Sequence, residues 1–117
     1  MTILAFVNVR EAISANQSEF LSLCKTHEVK ELYAFGSSVS GRFNDASSDI
    51  DLLVELTTQD PLQRGEYLTD LWEKFESFFQ RRVDLLTNAS IRNPILRNSI
   101  DTSKVLIYDG KKQKVSI

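Results

Sequence analysis

Apolar positions recur along this chain at two spacings, and the change from one to the other marks out its elements. Phe20, Leu23, Cys24 and His27 fall on one face at helical spacing and predict a helix over residues 18–27. Residues 31–35, Glu-Leu-Tyr-Ala-Phe, predict a short strand that ends at Gly36-Ser37. Residues 38–48 are small and polar and predict a loop that opens with a helical turn. Residues 49–56, Asp-Ile-Asp-Leu-Leu-Val-Glu-Leu, predict a second strand. Asp60-Pro61 pairs a capping side chain with a first-turn proline, so a helix should begin there and run to about Phe79. Leu68, Leu71, Trp72, Phe75, Phe78 and Phe79 trace a single apolar stripe along it, which reads as core. Residues 82–87 predict a third strand. Asn93-Pro94 opens a short helix to about Ile100, and residues 104–108 form a last strand or extended arm before a turn at Asp109-Gly110. This order of helices and strands predicts an α/β (α+β) fold, a mixed sheet with helices packed against it.

The bulk properties narrow the function classes. The chain has 117 residues, which suits one domain spanning 1–117 that buries roughly two-thirds of its unfolded surface. With 42% hydrophobic and 26% charged residues it is neither disordered nor fibrous. The net charge of −2 gives no basic surplus, so direct nucleic-acid binding is not expected. Lys111, Lys112 and Lys114 read as a solvated terminus. The single cysteine, Cys24, rules out an intrachain disulfide and sits among apolar residues as a small core side chain. The apolar stretch from Ile3 to Val7 is short and has no basic residue before it, unlike a signal peptide, and no run reaches membrane-spanning length. The cytoplasm is therefore the expected compartment.

The candidate chemistry lies in the carboxylates. Residues two apart on a strand share a face, roughly 6.8 Å apart along its axis, so Asp49 and Asp51 point the same way. Ile50, Leu52, Val54 and Leu56 point the other way, toward a core. Two such charges repel by about 2 kcal/mol at an effective dielectric near 20. A divalent cation with a preference for hard oxygen ligands, such as Mg²⁺, offsets that repulsion and bridges carboxylates to phosphates. Upstream, Gly36 lets the backbone approach a ligand, and free N–H groups at a helix start attract phosphate. Asp84 lies on the third strand between Val83 and Leu85, which face away from it. If that strand pairs beside the second, Asp84 completes a cluster fit for two metal ions about 3.5–4 Å apart.

Gly36-Ser37, a short loop, then Asp49-Ile50-Asp51-Leu52 resembles the signature of the DNA polymerase β-type nucleotidyltransferase superfamily. Arg82-Val83-Asp84-Leu85-Leu86 resembles the strand that carries the family's third carboxylate. The stretch from Ser90 to Tyr108 is similar to the ending of the minimal nucleotidyltransferases, the antitoxin-type branch. The resemblance implies two Mg²⁺ ions held by Asp49, Asp51 and Asp84, and ATP as nucleotide donor. It implies that Gly36 and Ser37 contact the nucleotide phosphates, with Arg42 as a further candidate. It also implies transfer of AMP to a hydroxyl of a partner protein, a helical HEPN-type toxin from an adjacent gene. One departure stands out. Many minimal members carry two arginines just after Gly-Ser, where this chain has Ser38 and Ser40, followed by Gly41-Arg42. Arg42 supplies the positive charge from a shifted position on one reading and is a surface residue on the other.

Plainer readings stand beside these. Asp49 and Asp51 would be solvated edge carboxylates, Asp84 a salt-bridge partner of Arg81 or Arg82, and Ser37 a turn residue. His27, the only histidine, reads as structural, and Tyr33 and Tyr67 as packing residues. Two further functions compete with the enzyme. One is a non-catalytic antitoxin that neutralises a HEPN-type partner by direct association. The other is a nucleotidyltransferase for small molecules or RNA ends, which would need a second chain to hold its substrate.

Overall fold

The computed structural model describes residues 9–36 and 49–116. Within them the chain forms α1 (Val9–Ala15), α2 (Gln17–Thr26), β1 (Val29–Phe35), β2 (Ile50–Leu56), α3 (Pro61–Phe79), β3 (Val83–Leu86), α4 (Pro94–Ser103), β4 (Val105–Asp109) and β5 (Lys114–Val115). A 3₁₀ turn, Asn88–Ser90, lies between β3 and α4. The five strands make one sheet in the order β3-β2-β1-β4-β5. β2 and β3 run parallel, and the other neighbours are antiparallel. The sheet is thus mixed, as the alternation of helical and extended patterns predicts.

The two cap pairs work as the sequence implies. Asp60 accepts a hydrogen bond from the Gln63 amide at 2.9 Å, and Pro61 fills the first turn of α3. Asn93 accepts from the amides of Ile95 and Leu96 at 2.8 and 3.2 Å at the start of α4. Such caps contribute about 1 kcal/mol each by satisfying amides that the helix leaves without a partner. α3 ends at Gln80 in the left-handed region, φ 57°.

The sheet separates two cores. On one face Ile50, Leu52, Val54 and Leu56 of β2 pack with Phe20 and Cys24 of α2 and with Leu71, Phe75 and Phe79 of α3. Phe20 sits at the centre, its ring 6.1 Å from Phe75, 5.7 Å from Phe78 and 6.4 Å from Tyr108. On the other face Phe35, Leu53, Ile91 and Ile100 form a smaller cluster beneath α4. Asp51 lies on that second face, because the strand alternates and its neighbours Ile50 and Leu52 belong to the first.

Several elements depart from the pattern. α1 and β5 were not predicted, and α4 continues past Ile100 to Ser103. The stretch after it is a true strand, paired with both β1 and β5. The lysines at 111, 112 and 114 are exposed as expected, but they belong to a hairpin in which Lys114 faces Asp109 across the strand pair. Trp72 is not a core residue: it is 46% exposed, and its indole N–H donates to the Val83 carbonyl at 2.9 Å. An indole nitrogen needs a hydrogen-bond partner, and here that need places the ring at the sheet edge. His27 is buried. Its Nδ1 faces the Leu23 carbonyl at 2.8 Å and its Nε2 faces Asp70 Oδ2 at 2.5 Å, tying the end of α2 to α3. Cys24 is fully buried, and burial pushes its thiol pKa far up, so it stays protonated.

Candidate active site

β2 and β3 bring two acidic residues level. In the parallel register Ile50 faces Val83, Asp51 faces Asp84 and Leu52 faces Leu85. Neighbouring strands lie about 4.8 Å apart, so the carboxylates of Asp51 and Asp84 leave the same face side by side. Asp49 precedes β2 by one residue and is exposed, as is Asp84, whereas Asp51 is half-buried. The Asp51 carboxyl is pushed up to about 6, first by its burial and then by the charges of Asp84 and Asp49. The charges of Asp84 and Asp49 therefore reach Asp51.

Gly36 closes one wall. It follows β1 at φ 65°, and a Cβ built on it would lie 2.7 Å from Oδ2 of Asp51. Only glycine lets the backbone pass so close to that carboxylate in this conformation. The opposite wall is the outer edge of β3. There a cavity of about 440 Å³ lies between α3 and β3, lined by Trp72, Val83, Asp84, Leu85 and Thr87 among others. The Ser37 and Arg42 assignments, and the helical turn expected after Gly36, lie outside the described residues.

The donor set is chemically suited to a hard divalent cation: carboxylate oxygens only, with repulsion that a cation would relieve. Among the described residues no group of three acidic, histidine or cysteine side chains is placed to hold a metal ion by itself, as a closed cage would. Mg²⁺ seldom uses one, since it keeps several waters and shares its coordination between one or two carboxylates and substrate phosphates. The salt bridge from Asp84 to Arg81 or Arg82 is absent from the ion pairs of the described residues.

Sequence reasoning missed the residues that hold β3. Glu76 Oε2 accepts from the Val83 amide at 2.9 Å, and Trp72 donates to the Val83 carbonyl. The only sequence signal was their spacing of four on a helix just before the strand, which puts both on one face.

A mixed sheet with paired acidic strands beside a glycine turn agrees with the nucleotidyltransferase class. The chain belongs to that family: the family model for the nucleotidyltransferase domain matches residues 18–107. It is an enzyme of the nucleotidyltransferase type. A curated relative from Methanocaldococcus jannaschii, named as a candidate protein adenylyltransferase, is 38% identical over 82 residues, 70% of this chain and 78% of that one. A solved structure named as a candidate minimal nucleotidyltransferase is 27% identical and aligns with a TM-score of 0.57 over 81% of this chain and 92% of its own. The fold is also that of the Shewanella oneidensis complex of a tri-AMPylated HEPN toxin with its MNT antitoxin, at 22% identity and TM-score 0.50, covering 85% and 74% of the two chains. No described helix is long and apolar enough to cross a membrane.

Proposed function

We propose that this chain, as one domain over residues 1–117, transfers AMP from ATP to a hydroxyl of a partner protein. The observation that carries this reading is the level pairing of Asp51 with Asp84 beside the Gly36 turn. Asp49 and Asp51 hold metal on the triphosphate side, and Asp84 holds metal on the acceptor side. Two Mg²⁺ ions bound there would neutralise charge on the triphosphate and on the attacking oxygen. The acceptor oxygen forms a bond to the α-phosphorus, the bond from that phosphorus to the bridging oxygen breaks, and pyrophosphate departs. The hydroxyl proton passes to the Asp84 carboxylate, which is exposed. Gly36 and Ser37 seat the phosphates through backbone N–H groups, and Arg42 adds positive charge.

The partner we propose is a HEPN-type helical toxin, which makes this chain the antitoxin of the pair. The name of the Methanocaldococcus relative supports the reaction, and the fold shared with a chain of the Shewanella toxin–antitoxin complex supports the partner. The test is label transfer from α-labelled ATP with Mg²⁺ and the product of the adjacent gene. The Asp49→Asn/Asp51→Asn variant serves as control. Label on the partner with the natural chain alone is the expected result. No label, with equal partner binding by both forms, would instead make this an antitoxin that acts by association.

A further inference from the structure

Asp84 is exposed, so side-chain packing does not hold it in place. It also stands on the outermost strand of the sheet, where a backbone has a neighbour on one side only. Ile50 donates to the Arg82 carbonyl at 2.9 Å, which turns the polar groups of Arg82 toward β2. Alternation along the strand then turns those of Val83 outward, away from the sheet.

Both outward groups of Val83 are taken by α3. Glu76 Oε2 accepts from its N–H at 2.9 Å, and Trp72 Nε1 donates to its C=O, also at 2.9 Å. The two side chains are one helical turn apart, and the helix that bears them is fixed by Leu71, Phe75 and Phe79 in the main core. Val83 is therefore gripped at both of its peptide planes, and the second of these planes is the one that leads into Asp84.

We propose that Trp72 and Glu76 are positioning residues for Asp84: they transmit the rigidity of the core through Val83 to the carboxylate. This inference rests on the reading of Asp84 as a metal ligand. Partners one step behind a ligand commonly change metal affinity by about 10–100-fold when removed, because the ligand loses its fixed direction. The Glu76 carboxylate itself is occupied by the Val83 amide.

The test is a Mn²⁺ titration, with the free-ion electron paramagnetic resonance signal as readout and a non-hydrolysable ATP analogue present. The variants are Trp72→Phe, which keeps a ring and loses the N–H, Glu76→Ala, and Glu76→Gln, which retains an acceptor oxygen. Asp84→Asn is the control. We expect Trp72→Phe and Glu76→Ala to weaken Mn²⁺ binding about tenfold, with Glu76→Gln close to the natural chain. Unchanged affinity in Trp72→Phe and Glu76→Ala, with affinity lost in Asp84→Asn, would overturn the positioning role and leave the site intact. Unchanged affinity in Asp84→Asn would overturn the metal-ligand reading itself, and the inference with it.

Discussion

Gly36 and Asp51 are in contact across the first two strands: a Cβ on the glycine would stand 2.7 Å from the aspartate Oδ2. The glycine also holds φ 65°, where an L side chain costs about 1–2 kcal/mol. Gly36→Ala must therefore either move the backbone or push the carboxylate aside. We expect a loss of about 1–2 kcal/mol in denaturant unfolding, together with loss of nucleotidyl transfer. A variant that kept full activity would show that Asp51 has room to spare.

Asp51 carries the strain of burial and of two neighbouring charges, Asp84 and Asp49. Its carboxyl is pushed up to about 6, so at neutral pH the folded chain keeps it ionised at a cost. Asp51→Asn removes that charge at nearly constant shape. Without divalent metal we expect a higher melting temperature than the natural chain, and no transfer activity. A lower melting temperature would mean that the carboxylate is paid for by contacts rather than burdened by repulsion.

Metal and nucleotide should reverse the same burden. A ligand that binds only the folded state at a hundredfold excess over its Kd adds about 2.7 kcal/mol. Mg²⁺ with ATP is expected to raise the melting temperature of the natural chain and to leave Asp49→Asn/Asp51→Asn almost unmoved. An equal shift in both would place the binding elsewhere.

Acid should loosen the joint between α2 and α3 by a different route. The hydrogen bond from His27, followed by Lys74, holds the Asp70 carboxyl below the usual aspartate range. A depressed carboxylate contributes stability that is present above its unfolded pKa, about 3.9, and is lost as pH falls through the lower folded value. Asp70→Asn is therefore expected to be less stable than the natural chain at neutral pH, with the gap closing below about pH 4. Denaturant unfolding at a series of pH values checks this, and a gap that stays constant into acid would contradict it.

Much of this architecture was legible in the chain because its signals are local. Asp60-Pro61 and Asn93-Pro94 announce two helices, and the alternation at Ile50, Leu52, Val54 and Leu56 gives both a strand and its buried face. The elements missed lack such signals: α1 has only Val9 and Ile13 buried, and β5 is two residues long. Trp72 was misplaced because an apolar stripe does not reveal which of its members must satisfy an indole N–H. In the site, Asp49 and Asp51 were a matter of strand period, but Asp84 depended on which strands become neighbours. That is decided by the docking of α3 over the sheet, which no local window contains.

The parallel step between β2 and β3 also sets when the acidic centre exists. Asp49 and Asp51 leave the ribosome well before Asp84, with the whole of α3 between them. A growing chain therefore carries two of the three acids until the crossover closes, and closing it costs the entropy of a long loop. Antiparallel hairpins elsewhere in the sheet pair with what has just been made, whereas this pair waits for the helix. On the proposed reading of the three acids as metal ligands, competence to hold metal thus arrives late in synthesis, as a certificate that the crossover has folded.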